Sequence, residues 1–299
     1  MSERLKIALV GAGHMGRLHA RTIAAREDAR LVAVCDTDAA AAAALAETCG
    51  ARALGEVEGL AGAVDAVVLA AATSAHRDLA LPLIRAGVPL LVEKPLAGTA
   101  AEAREIARAA ERAEALLQVG HILRFDPVTR AIAGRTFRPT QVSVSWRSPF
   151  TGRSTDISVV MDLAIHGIDL ALKWAGDMPQ VVTATGRTVK GPHTDEVEAR
   201  LEFAGGCVAD LFASRVSETR ERRIRIAAGS ETIELDYAAR TVRWGSEALP
   251  VETEPDALTA QMNAFLAAVR GEAPVAVSAD DGARAVEVAE RIHEAVAGG

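Results

Sequence analysis

Moving a proton at neutral pH needs a group that titrates there and a neighbour to orient it. One stretch of this 299-residue chain offers both, with Asp162, His166 and Asp169 at i, i+4 and i+7. On an α-helix that spacing puts all three on one face, so a carboxylate can orient the imidazole. Such a pair suits alcohol oxidation, in which a base removes the hydroxyl proton as hydride leaves the carbon. The same residues also suit an ordinary surface or interdomain hydrogen bond. One imidazole and two carboxylates would start a metal site, but no further His/Cys cluster completes it. A second candidate is Lys94, in Glu93-Lys94-Pro95 just after the apolar run PLLV. At the carboxyl edge of a parallel sheet this lysine would stand where ligands bind; otherwise it is a solvated strand-end lysine.

A third stretch, Gly11-Ala12-Gly13-His14-Met15-Gly16, follows the strand-like run LKIALV and opens a helical pattern. In that context Gly11 permits a tight turn, Gly13 lets backbone approach a pyrophosphate, and Gly16 lets helix and strand pack closely. The helix N-terminus offers N–H donors to the anion. Asp36 follows Gly16 by 20 residues and ends a second apolar run. There a carboxylate accepts from the adenosine ribose hydroxyls and repels a 2′-phosphate, which favours NAD over NADP. The plainer reading is a glycine turn, with Asp36 capping the next helix.

These residues need a scaffold, and the first 120 residues supply its rhythm. Strand patterns at 6–10, 31–35, 66–70, 89–92 and 116–119 alternate with helical patterns at 14–26, 39–49, 75–86 and 100–115. Gly50 and Gly87 mark left-handed helix stops. Alternation of this kind builds an α/β doubly wound parallel sheet through right-handed crossovers. Beyond 120 the pattern changes to a strand at 141–146, an apolar helix at 159–174, and strands at 181–189, 197–203, 207–213, 223–227 and 232–235. Gly-containing turns separate those strands. Helices at 258–269 and 281–297 close the chain, the last opened by Ser278 and Asp281 in capping-box spacing. The expected organisation is therefore 1–120 as a dinucleotide-binding domain and 121–299 as an α+β domain with an open, mostly antiparallel sheet. An open sheet must dispose of its uncovered face. Alternation around Val208, Asp210 and Phe212 suggests self-association there.

Composition agrees with a small-molecule enzyme. The apolar fraction of 49% supports a sizeable core, and a formal net charge of -7 leaves no basic stripe for nucleic acid. Cys35, Cys49 and Cys207 show no CxxC spacing, so neither a disulfide framework nor a zinc site is indicated. No apolar run approaches membrane-spanning length and no leader pattern opens the chain, so no membrane partner and a cytoplasmic location are expected.

With these stations in view, the chain resembles the glucose-fructose oxidoreductase/inositol dehydrogenase (Gfo/Idh/MocA) family over nearly its whole length. The likeness is carried by GAGHMGRLHA, ATSAH at 72–76, VEKPLAGT at 92–99, VGHILRFDP at 119–127 and MDLAIHGIDL at 161–170. It implies a Rossmann domain and a second α/β domain whose open sheet joins a homodimer or homotetramer. It also implies cofactor contacts from the glycine run with His14 and Met15, from Asp36, and from Thr73, His76, Glu93 and Lys94. The catalytic set implied is Lys94, Asp162 and His166, acting on a sugar, cyclitol or nucleotide sugar. In that reading His166 takes the hydroxyl proton, Asp162 orients it or holds a neighbouring hydroxyl, and Lys94 polarises the reacting oxygen. The division of labour between Lys94 and His166 stays open.

The run VGHILRFDP looks like the version in members that oxidise the 3-hydroxyl of UDP-N-acetylglucosamine-type sugars, with Asp126 where that subgroup often has Asn. The resemblance places substrate contacts at His121, Arg124, Arg153 and Asp169. Arg124, Arg147 and Arg153 are arginines suited to a diphosphate or carboxylate, with residues 148–157 as a loop of the site. The alternative for these arginines is solvation. Two other functions fit the same scaffold: a keto-sugar or imine reductase, or a lyase-like relative, and an NAD- or sugar-sensing binding protein. An intact Lys94, Asp162 and His166 argue against the sensor.

Overall fold

The structure is a computed structural model and describes residues 4–152 and 157–298. The chain divides into two units. One runs to Ile122 and includes Leu258–Ala283; the other comprises Leu123–Ala257 and the residues from Arg284 on.

The first unit contains β1 (Leu5–Val10), α1 (His14–Ala24), β2 (Ala29–Cys35), α2 (Ala39–Cys49), β3 (Arg52–Leu54), β4 (Ala66–Leu69), α3 (His76–Arg85), β5 (Leu90–Glu93), α4 (Ala100–Arg112) and β6 (Leu117–Gly120). All strand pairs are parallel, in the order β3-β2-β1-β4-β5-β6. β4, β5 and β6 are buried along their whole length, as strands covered on both faces must be. The winding direction reverses between β1 and β4, and the glycine loop leaves β1 at that switch point. Local signals set the helix ends: Asp38 accepts from the N–H groups of Ala40 and Ala41 at 3.0 Å, and Gly50 stops α2 at φ 64°.

The link from β3 to β4 contains no helix. Apolar cover on that side comes from α7 (Ala257–Val269), whose Met262, Phe265 and Leu266 are buried with Ile23 of α1, Ala42 of α2, and Leu9 and Val68 of the sheet. Assigning everything after residue 120 to a second domain therefore misplaces α7, which returns to the first core. Its apolar stripe predicts a buried face without saying against which sheet that face will lie.

The second unit holds α5 (Pro127–Arg130), β7 (Gln141–Arg147), a π turn (Val160–Ala164) leading into α6 (Ile165–Ala175), β8 (Pro179–Arg187), β9 (Glu196–Phe203), β10 (Val208–Ser214), β11 (Glu221–Ala228), β12 (Glu231–Asp236), β13 (Thr241–Trp244) and β14 (Glu247–Leu249). Most of α8 (Ala279–Gly298) also belongs to it. Its sheet runs β14-β13-β12-β11-β7-β10-β9-β8, antiparallel except for the β7–β10 pair. Alternate residues such as Val144, Trp146, Leu201, Leu211, Ile224 and Ile226 are buried on one face. There α6 lies close: a Cβ on Gly167 would sit 2.7 Å from Val144 Cγ1.

The opposite face is not the apolar stripe suggested by Val208 and Phe212. It carries ion pairs: Arg200 with Glu202 and Asp210, Arg223 with Asp236, Arg187 with Glu196. The capping box that opens α8 forms as spaced, with Asp281 accepting from the Ser278 backbone N–H at 2.8 Å and donating its own N–H to Ser278 Oγ. Among the described residues no helix is long and apolar enough to cross a membrane.

Candidate active site

The three glycines of the first loop differ in what requires them. Gly11 has φ +101°, and a Cβ there would fall on the Ala70 carbonyl, so both conformation and packing exclude a side chain. At Gly16 a Cβ would strike the Gly11 carbonyl, which is the close helix–strand packing expected. Gly13 is extended and a Cβ on it would meet no protein atom within 4 Å. Nothing in the chain itself requires a glycine at 13, whereas a pyrophosphate laid against this backbone would. No side chain caps α1, so its first N–H groups face outward as donors for an anion. The loop therefore fits a dinucleotide. His14, exposed, and Met15, half-buried, sit on the first turn of α1.

Asp36 is half-buried at the end of β2. Its Oδ2 accepts the Ala12 N–H at 2.6 Å and its Oδ1 accepts the Asp38 N–H at 2.8 Å. It thus ties the glycine turn to β2, and each oxygen keeps a lone pair for a ribose hydroxyl.

At the end of β5 the structure reveals a pair that sequence reasoning missed. Glu93, with only 6% of its surface exposed, accepts from His19 Nε2 at 2.7 Å, and His19 on α1 is fully buried. The other carboxylate oxygen accepts the backbone N–H of Lys94 at 3.2 Å. Burial raises the Glu93 carboxyl, but the His19 hydrogen bond and the charges of His19 and Lys94 outweigh it and hold the group below its usual range. Across the sheet Gly120 pairs with Glu93, and a Cβ at 120 would come within 3.0 Å of the carboxyl group. Lys94 itself is half-buried.

His76, fully buried, bridges two loops. Its Nδ1 lies 2.9 Å from the Pro95 carbonyl and its Nε2 3.1 Å from the Ala71 carbonyl. Burial lowers its pKa, and the two carbonyls, which favour the protonated ring, only partly offset this. Thr73 is half-buried in a short turn after β4. Of the residues assigned to the cofactor, Glu93 and His76 are therefore turned into the protein, where they fix the strand ends that carry Lys94. His121, at the end of β6, is likewise buried.

In the second unit, the helix read as one regular face begins with the π turn. A wider turn inserts about one residue of register and is frequent at functional sites. Asp162 and His166 remain half-exposed, but Asp169 is 1% exposed. It stands one turn beyond His166 on the regular part of the helix, but sealed from solvent. Its carboxylate is gripped by Arg124, with Nε at 3.0 and 2.9 Å from the two oxygens and Nη2 at 2.6 Å. The two residues expected to touch substrate are thus committed to each other. Arg147 lies on the open face of the sheet, its guanidinium 4.3 Å from the Phe212 ring centroid, so it too is removed from the expected role. Arg153 lies outside the described residues. The π turn is held from below: Asp162 donates its N–H to the Ser158 carbonyl at 3.0 Å, and Ser158 Oγ contacts His293 Nε2 at 2.6 Å.

Comparison with known proteins matches residues 5–121 to an oxidoreductase family model with an NAD-binding Rossmann fold, and residues 129–234 to the GFO/IDH/MocA C-terminal domain. The chain is 33% identical to a UDP-N-acetylglucosamine 3-dehydrogenase of Acidithiobacillus ferrooxidans over 98% of this chain and 97% of that protein. It is 30% identical to an inositol 2-dehydrogenase of Rhizobium meliloti, with the same coverage of 98% and 97%. A crystal structure of the Acidithiobacillus enzyme superposes with a TM-score of 0.92 at 32% identity, covering 99% of this chain and 98% of that one.

Proposed function

The chain belongs to the Gfo/Idh/MocA family of NAD-binding oxidoreductases, and from that premise we propose that it is a dehydrogenase of a UDP-N-acetylglucosamine-type nucleotide sugar. The observation that carries this reading is the end-to-end likeness to a UDP-N-acetylglucosamine 3-dehydrogenase in both sequence and fold. The VGHILRFDP run is in keeping with it.

When bound, NAD supplies the hydride acceptor; the rest of the reaction falls to the chain. The amino end of α1 and the bare backbone at Gly13 hold the diphosphate, and Asp36 accepts from the ribose hydroxyls while turning away a 2′-phosphate. Lys94, fixed through Glu93 and Pro95, presents positive charge to the reacting oxygen. His166 removes the hydroxyl proton, with Asp162 setting its orientation or holding an adjacent hydroxyl. The open face of the second sheet is the surface assigned to self-association into a dimer or tetramer, and a monomer in sedimentation at micromolar concentration would contradict that assignment.

The substrate test is NADH formation with UDP-N-acetylglucosamine, free N-acetylglucosamine and myo-inositol. The nucleotide sugar is expected to show the highest kcat/KM. A higher value with myo-inositol would assign the enzyme to the cyclitol branch and reject the proposal.

A further inference from the structure

The arginines that the sequence offers for an anionic substrate do not serve in the described residues, since Arg124 is spent on Asp169 and Arg147 lies on the open face. Strand register points to two others. On β11, Ile224 and Ile226 face the helix-covered side and are buried. Arg222 stands two residues before Ile224 and pairs in register with Trp146, another buried residue of that side. It therefore prolongs the inward row to the end of the strand, and Arg220, just before the strand begins, is near enough for its charge to act on Arg222.

On the same side α6 lies on Val144, and the π turn bearing Asp162 packs on β10. Partial burial and the like charge of Arg220 lower the Arg222 guanidinium, and the carboxylates of Asp162 and Asp126 only partly offset them. Yet among the described residues neither Arg220 nor Arg222 forms an ion pair. Arg187, Arg200, Arg223 and Arg225, on the open face, each do. Two mutually repelling guanidinium groups, unpaired and still exposed, are set beside the half-exposed Asp162. That arrangement disfavours the bare protein and favours a bound anion, because guanidinium groups take phosphate oxygens in bidentate fashion.

We propose that Arg222 and Arg220 form an anion subsite on the helix-covered face of the second sheet that holds the diphosphate of the sugar nucleotide. This rests on the nucleotide-sugar reading above and supplies the residues that separate such a substrate from a neutral sugar.

The test is titration of the full chain with UDP and with uridine, alongside NAD, for wild type, Arg222→Gln, Arg220→Gln and the open-face control Arg225→Gln. UDP is expected to bind wild type and the control well above uridine. Each subsite variant should lose roughly tenfold in UDP affinity, the scale of one hydrogen bond to a charged group, with NAD affinity kept. In turnover the loss should appear in KM for UDP-N-acetylglucosamine and little in kcat. Unchanged UDP affinity and KM in both variants of an enzyme that oxidises the nucleotide sugar would overturn the arginine assignment and leave the substrate reading standing. A wild type that neither binds UDP nor oxidises a UDP-sugar would overturn both.

Discussion

Replacing His19 by alanine removes the partner of a carboxylate that water scarcely reaches. Glu93 is 6% exposed, and His19 supplies its shortest hydrogen bond, at 2.7 Å. Taking the hydrogen-bond partner from a buried carboxylate costs about 3 kcal/mol, because the charge is left less compensated. Glu93→Gln keeps an acceptor for His19 and discards the charge, so it should cost less, about 1–3 kcal/mol. The double variant should cost less than the sum of the two. All three tryptophans, Trp146, Trp174 and Trp244, lie in the second unit, so their fluorescence would not follow this change. Amide hydrogen exchange in β1, β5 and β6 reads the first unit directly, and exchange there should quicken about a hundredfold or more in His19→Ala. The pH dependence has a defined sign. A carboxyl held below its unfolded pKa contributes stability above that pKa, and the contribution is lost as pH falls through the folded value. Without His19, burial raises the carboxyl against Lys94 alone, so the acid-side loss of protection should move to higher pH. Unaltered exchange in these strands and an unmoved acid limb would refute the pairing as a source of stability.

Gly13→Ala should leave stability within about 0.5 kcal/mol, since the added methyl meets no protein atom within 4 Å, while weakening NAD binding in a calorimetric titration; Gly16→Ala should instead lose several kcal/mol through its collision with the Gly11 carbonyl, visible as a large drop in thermal midpoint. Lys94→Ala and His166→Ala should each lower kcat roughly a hundred- to ten-thousandfold with NAD affinity little changed, and full turnover in His166→Ala would reject its role as base. Arg124→Met should strand the buried Asp169 carboxylate and cost about 3–5 kcal/mol in denaturant, followed by Trp174 on the same helix; a stable variant with only a raised KM would return Arg124 to the substrate.

The parallel sheet was legible because most of its strands are short, predominantly apolar runs, punctuated by glycines at 50 and 87 that adopt positive φ as their positions demand. What escaped was short or non-local. β3, β13 and β14 have three or four residues, too few for a period to declare itself. α7 was legible as a helix but not as part of the first core, since its partners are some two hundred residues away in sequence. The π turn escaped for a related reason. It differs from an α turn by about one residue, and Asp162, His166 and Asp169 satisfy the regular spacing as written.

The site divided along the same line. A residue that meets a ligand through backbone geometry leaves a local mark, as Gly11, Gly13 and Gly16 do. A residue that holds another in place has its partner elsewhere: His19 and Glu93 are 74 residues apart, Arg124 and Asp169 45. Yet burial itself limits the choices. Gly16, His19, Ala20 and Ile23 form the i, i+3, i+4, i+7 inward stripe of α1, and Glu93 ends a strand with no exposed residue. A histidine in such a stripe and a carboxylate on such a strand each require a polar partner away from water. Both elements belong to the strand–helix alternation of the first unit, so the requirement is already present in the sequence pattern. What it identifies is how Lys94 is held, since the carboxylate that needs His19 is also the acceptor of the Lys94 N–H.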